Sequence, residues 1–166
     1  SGIIVTVADT GLDNGVNNSA MHPDFRDHLV DIISFPLSPS SVTHCGASSN
    51  DDGASDLTGH GTHVAGSVLG DGTNIGGAIR GTAPEARLYF QAVGQYCFNE
   101  RNDPDTAGHT LRGIPSDYSL MFEPAWENGS RVHTNSWGGG NTGVYSIGSA
   151  MADSNARSFQ NMTILF

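Results

Sequence analysis

Apolar residues fall in short continuous runs separated by polar, glycine-rich stretches. Ile3-Ile4-Val5-Thr6-Val7-Ala8 is β-branched and apolar without alternation, the pattern of a strand covered on both faces of a parallel sheet. Leu29–Ile33, Arg87–Val93, Arg131–Asn135 and Met162–Phe166 are further strand-like runs. Helical patterns lie between them. One opens near His60 and closes at Gly70, and its small residues Thr62, Ala65 and Gly66 let it lie close against a sheet. A second is predicted to start at Pro115-Ser116-Asp117, with Ser116 as N-cap. There Tyr118, Met121, Phe122, Ala125 and Trp126 recur at helical spacing, Pro124 is expected to kink or shorten the helix, and Asn128-Gly129 to stop it. Val144, Ile147 and Met151 mark a third. Residues 36–58 and 94–114 read as long surface loops. The alternation of strands and helices predicts an α/β domain with a mostly parallel sheet. Ligands in such folds sit beyond the carboxyl ends of the strands, so the residues just after strands carry the interest.

A length of 166 residues fits one domain with a core of its own. The 22 glycines are about twice the usual share of roughly 7%, so tight turns and close backbone contacts are expected. The 17 acidic residues outnumber 7 basic ones, all of them arginine, and the net charge of −10 argues against nucleic acid or an anionic membrane surface as partner. No apolar run approaches the ~20 residues of a membrane span. The chain opens directly on strand-like sequence, so Ser1-Gly2 reads as a processed or truncated start. Cys45 and Cys97 form no C-x-x-C pair, which speaks against a zinc or dithiol redox site. One disulfide and two separate thiols both stay open.

Asp9 follows the first strand in Val7-Ala8-Asp9-Thr10-Gly11, where a strand delivers a carboxylate to a crevice. Asp-Thr-Gly is also the aspartic-protease tripeptide, but that chemistry needs two copies sharing a proton, and this α/β-patterned chain has one. A lone Asp here would simply cap a turn. It does not stand alone, because Gly59-His60-Gly61-Thr62-His63-Val64-Ala65-Gly66 places a histidine at a helix start between glycines. Such a histidine can offer one ring nitrogen to a carboxylate and the other to a nucleophile, as a general base requires. Metal binding by His60 and His63 is disfavoured, since zinc-protease helices carry H-E-x-x-H and no Glu lies between these two. His63 is expected to be a buried, hydrogen-bonded helix residue.

In that order, the Asp9 and His60 segments resemble those of subtilisin-like serine proteases, whose triad runs Asp, His, Ser along the chain. Gly81-Thr82-Ala83-Pro84 resembles the family's G-x-A-P, and Asn135-Ser136-Trp137-Gly138-Gly139 its pocket-wall segment. The Leu12-Asp13, His133–Gly138 and Met162–Phe166 stretches are most similar to the bacterial alkaline-protease-like branch. The resemblance covers essentially all of residues 1–166 and implies the three-layer subtilisin-like fold. It implies a secreted endopeptidase acting on peptide or protein substrates, with no cofactor for the chemistry. Asp9 would orient His60 and stabilise its imidazolium, and His60 would shuttle the serine's proton to the leaving amine. Ser136, Trp137 and Gly138 would line the S1 pocket, and Leu111-Arg112-Gly113 would be the edge on which substrate pairs as an added strand.

Two family features are missing. The G-T-S-x-A/P nucleophile motif is absent; Gly148-Ser149-Ala150-Met151-Ala152 looks similar, but its serine is one place early and lies within a helical pattern. The oxyanion asparagine is absent too, and Asn135 belongs to the pocket wall. The expectation is therefore an N-terminal half of the catalytic domain, inactive alone, with the remaining C-terminal part as its partner across the apolar strand edge at Phe166. A non-catalytic pseudo-protease or binding module is the alternative, against which the paired Asp9 and His60 stand. The family topology would make the strands before Cys45 and Cys97 neighbours, which favours a Cys45–Cys97 disulfide. Relatives use structural calcium, for which Asn50-Asp51-Asp52 with Asp56, Glu100 to Asp105, and the Gly70–Gly77 region are the candidate places.

Overall fold

The computed structural model describes residues 2–38, 41–42, 45, 53–97, 108–140 and 143–166. In chain order the elements are β1 (Ile4–Asp9), α1 (Pro23–Arg26), β2 (Leu29–Ser34), α2 (His60–Leu69), a 3-10 turn (Thr73–Ile75), β3 (Arg87–Ala92), β4 (Gln95–Cys97), β5 (Gly108–Thr110), α3 (Ser119–Glu127), β6 (Val132–Asn135), α4 (Ile147–Ser158) and β7 (Thr163–Leu165).

Five strands form a parallel sheet in the order β2-β3-β1-β6-β7. β1 is central, with Val5 opposite both Leu88 and Val132 and Ala8 opposite both Gln91 and Asn135. That position explains its unbroken apolar run, because both of its faces are covered. On one face Val5, Val7, Leu88 and Phe90 pack with Phe25 of α1 and Ala65 and Leu69 of α2. On the other, Tyr89 and the partly buried Ile4 and Ile164 pack with Phe122 and Ala125 of α3 and with Phe159 at the end of α4. The sheet is thus the middle of three layers, as the resemblance implies.

The crossovers do not all have the same hand. β3-α3-β6 and β6-α4-β7 step toward one edge across the second face, while β1-α1-β2 steps the opposite way across the first face, so these three share a hand. β2-α2-β3 steps in the direction of the α3 and α4 crossovers but across the first face, which reverses its hand. Since about 98% of such units are right-handed, α2 makes the left-handed one.

Several expectations need correction. α3 starts at Ser119, not at Ser116: the Asp117 carboxylate accepts the Ser119 N–H at 2.9 Å and caps the turn instead. Pro124 stays inside α3, because the carbonyl it leaves unpaired belongs to the exposed Leu120, where water can serve it. The third helix starts at Ile147, where Ser146 caps it, and runs on to Ser158, leaving Val144 outside. Within 94–114, β4 and β5 form an antiparallel pair, each strand being only three residues, too short to show a period. Within 36–58, Ser41, Val42 and Cys45 are helical. β2 and β3 are neighbours, and Cys45 and Cys97 are joined as a disulfide across 52 residues of sequence. No helix among the described residues is long and apolar enough to cross a membrane.

Candidate active site

Asp9 is the last residue of β1, and its carbonyl accepts the Val93 N–H at 2.8 Å, which pins the strand end against the segment following β3. Across the crevice, Gly59 takes a left-handed backbone (φ 78°), a conformation that favours glycine, and turns the chain into α2 with His60 as its first residue. Gly61 then lies against the Gly11 carbonyl so closely that a side chain at 61 would overlap it. This contact brings the start of α2 onto the 9–11 turn.

His60 Nδ1 lies 2.7 Å from Asp9 Oδ1. The Asp9 side chain is 1% exposed and the His60 side chain 55% exposed, so the imidazole spans from a buried carboxylate to open solvent. Because a carboxylate only accepts, the neutral ring carries its proton on Nδ1 and turns the Nε2 lone pair outward. The hydrogen bond to Asp9, and then the Asp9 charge, raise the imidazole pKa against a smaller opposing effect of desolvation, with a further push from Asp56. Asp9 Oδ1 also accepts the Thr10 N–H at 2.7 Å, while its buried Oδ2 has no protein partner among the described residues. A buried acceptor next to an outward-facing base is the arrangement that general-base catalysis uses.

In sequence Asp56 reads only as a candidate calcium ligand. Here both of its oxygens accept hydrogen bonds: Oδ1 from Thr10 Oγ1 at 2.9 Å, Thr58 Oγ1 at 3.0 Å and the Gly59 N–H at 3.0 Å, and Oδ2 from the Thr62 N–H at 2.8 Å and Thr62 Oγ1 at 2.6 Å. Burial pushes this carboxyl up, but the hydrogen bonds of Thr62, Thr10 and Thr58 outweigh it and hold the group below the ordinary carboxylate value. An acid three residues before a helix-opening Gly-His was the available signal, since carboxylates satisfy free N–H groups at helix starts. The other acids of the two acidic loops, Asp51, Asp52, Glu100, Asp103 and Asp105, lie outside the described residues. Among the described residues no three or more His, Cys, Asp or Glu side chains are grouped to hold a metal ion.

The pocket-wall residues divide between two faces. Trp137 and Gly138 border a cavity of about 400 Å³ that Tyr118, Gly139 and Phe166 also line. Trp137 donates from Nε1 to the Ala8 carbonyl at 2.9 Å and meets Tyr118 and Phe166 edge-on, at 6.0 and 5.2 Å between ring centroids. Ser136 faces the α2 side instead, beside His63 and Val64. His63 is exposed rather than buried, because the buried stripe of α2 runs through Gly61, Ala65 and Leu69. Leu111-Arg112-Gly113 lies in a turn after β5 rather than on a strand. The Arg112 and Gly113 N–H groups donate to Thr110 and Val93 carbonyls at 2.8 and 2.9 Å, and the Arg112 carbonyl accepts from Ser38 at 3.0 Å. These three backbone groups are therefore engaged within the chain.

Asn135 donates to the Leu165 carbonyl at 2.9 Å and ties β6 to β7, away from any oxyanion role. Ser149 is the third residue of α4; it accepts the Ser146 N–H at 3.2 Å while its own N–H reaches Ser146 Oγ at 3.2 Å, a reciprocal cap. Ser149→Ala is thus expected to cost about 1 kcal/mol, seen as a lower denaturation midpoint.

The model of the subtilase family, peptidase family S8, matches residues 1–165. The serine protease/ABC transporter B family protein tagB of Dictyostelium discoideum is 30% identical over 143 residues, which cover 82% of this chain and 6% of that protein. The corresponding tagD protein of the same organism is 32% identical over 143 residues, covering 82% of this chain and 7% of that protein. The chain therefore spans only a small part of the length of these relatives. On the match across residues 1–165, with Asp9 and His60 joined at the crevice where the strands end, this chain belongs to the subtilase family.

Proposed function

We propose that residues 1–166 are the N-terminal portion of a secreted serine endopeptidase domain and supply two members of its Asp-His-Ser triad. The Asp9–His60 hydrogen bond at 2.7 Å carries this reading. Asp9 holds the imidazole in the tautomer that presents Nε2 and stabilises the imidazolium once formed. His60 Nε2 takes the proton of the attacking serine and returns it to the leaving amine of the peptide. The serine and the oxyanion side chain come from a part of the protease outside these residues, so the chain alone is inactive.

An apolar groove of about 540 Å³ on the α2 face, lined by Ile3, Val5, Val64, Val68, Val132 and Leu165, supports a further packed segment there. Ile3 is 61% and Leu165 48% exposed, surface that a buried neighbour would cover. The cavity beside Trp137 and Gly138 supports a side-chain pocket for peptide substrates. The disulfide and the acidic, lysine-free composition fit an extracellular setting.

The test is covalent labelling of the full-length protein with a fluorophosphonate, followed by peptide mass spectrometry. A single modified serine outside residues 1–166, lost in His60→Ala, is the expected result. No label on any serine would sink the reading and favour a binding module.

A further inference from the structure

We propose that Asp56 is a positioning residue for the base: its carboxylate holds the turn carrying Asp9 and the helix carrying His60 in one register. This rests on the triad reading above. Asp56 lies in the loop before α2, and its oxygens gather donors from both sides of the crevice. Through Thr10 it reaches the residue next to Asp9, and Thr10 Oγ1 in turn accepts the Gly61 N–H at 2.9 Å. Through Thr62 it reaches the far end of the same turn, because Thr62 Oγ1 accepts the Asp13 N–H at 2.9 Å. The Asp56 backbone N–H closes the ring on the Asp13 carbonyl at 2.9 Å. The 9–13 turn is therefore held at Thr10 and at Asp13 by one carboxylate.

Only a carboxylate can do this. Donors approach both oxygens, whereas an amide would turn an NH₂ group toward one set of them. The negative charge has a second effect. His60 is the first residue of α2, where the helix end carries partial positive charge and disfavours an imidazolium. Gly59, at the cap position, has no side chain to offset this, and Asp56 caps the free N–H groups in its place. The charged groups facing His60 are Asp9 from β1 and Asp56 from the loop, and both favour the protonated ring. Asp56 touches neither the reacting atoms nor the ring, so it acts through geometry and field.

The experiment uses the full-length protein. Asp56→Asn is expected to lower kcat about 10- to 100-fold, with KM changed less than about 2-fold, as for a small misplacement of a base. It is also expected to move the His60 pKa downward. That pKa is read without turnover, from the pH dependence of diethyl pyrocarbonate acylation of His60 followed by mass spectrometry. Thr10→Val breaks the bridge and keeps the charge; if Asp56→Asn does not fold, it carries the test, with a lower kcat and an unmoved His60 pKa. Thr10→Ser should restore kcat. A variant that lowers only the melting temperature, with kcat and the His60 pKa unchanged, would overturn the proposal. Failure of the triad reading looks different: His60→Ala would then match the wild type in peptide hydrolysis, while the acylation profile would still report on Asp56.

Discussion

Replacing His60 with alanine is expected to lower kcat of the full-length peptidase about 10⁶-fold, the loss seen when the base of such a triad is removed. Asp9→Asn should cost less, about 10⁴-fold. The difference follows from the geometry. On the proposed mechanism, nothing else accepts the serine's proton once His60 is removed. With Asn at 9, the ring can still lie at the same place, but an amide NH₂ facing Nδ1 forces the proton onto Nε2 and presents the wrong tautomer. Asp9 is 1% exposed, so no water substitutes for the lost carboxylate. Steady-state kinetics on a peptide substrate check both values, and a His60→Ala enzyme within tenfold of wild type would remove His60 from the chemistry.

The second large effect is on stability in acid. His133 on β6 is fully buried, edge-on to Phe122 at 4.6 Å, with Nε2 3.1 Å from the Gln91 amide oxygen. Gln91 is itself anchored by donating to the Met121 carbonyl at 2.8 Å. Nε2 therefore carries a proton and donates it to the Gln91 oxygen, and burial, which penalises the charged ring, keeps it neutral and lowers its pKa from 6.5 to about 3. The unfolded chain takes up this proton near pH 6.5 and the folded chain does not. Stability is complete above about 6.5 and falls as the pH drops toward 3, by roughly 2–3 kcal/mol at pH 4.5. His60 acts in the opposite sense and leaves the His133 slope unchanged only below about pH 6.5. Its raised pKa adds stability that is present below 6.5 and is lost only as the pH rises through the folded value. Urea midpoints between pH 7 and 4.5 check the slope. It should flatten in His133→Gln, and an equal slope in that variant would show that other groups carry it.

β1 and β3 are legible as strands because they lie inside a parallel sheet, where burial on two faces writes itself as apolar runs, whereas β2 and β7 form its edges and are only partly buried. What failed was local and short. The three-residue β4 and β5 are too brief for any period, and the start of α3 turned on whether Asp117 or Ser116 supplies the cap. Helical spacing alone does not say which stripe of α2 faces the sheet; Gly61, Ala65 and Leu69 do, and that leaves His63 in solvent.

Asp9 and His60 could be named from sequence because each chemical group sits in a tight local context, after a strand and at a glycine-bracketed helix start. Their 2.7 Å hydrogen bond could not, since 51 residues separate them and it is tertiary packing, such as that of Gly61 on Gly11, that brings them together. The same limit hid Asp56. In sequence it is one more acid near an acidic loop; in space it is the acceptor on which Thr10, Gly59 and Thr62 converge. Sequence alone determined the sheet's strands, the family likeness and the types of group available for chemistry, because those depend on neighbours along the chain. The tertiary structure alone decided the tautomer of His60, the reversed hand of the α2 crossover and the splitting of Ser136 from Trp137. Each of these depends on which distant backbone lies across the crevice or on which face of the sheet a segment falls.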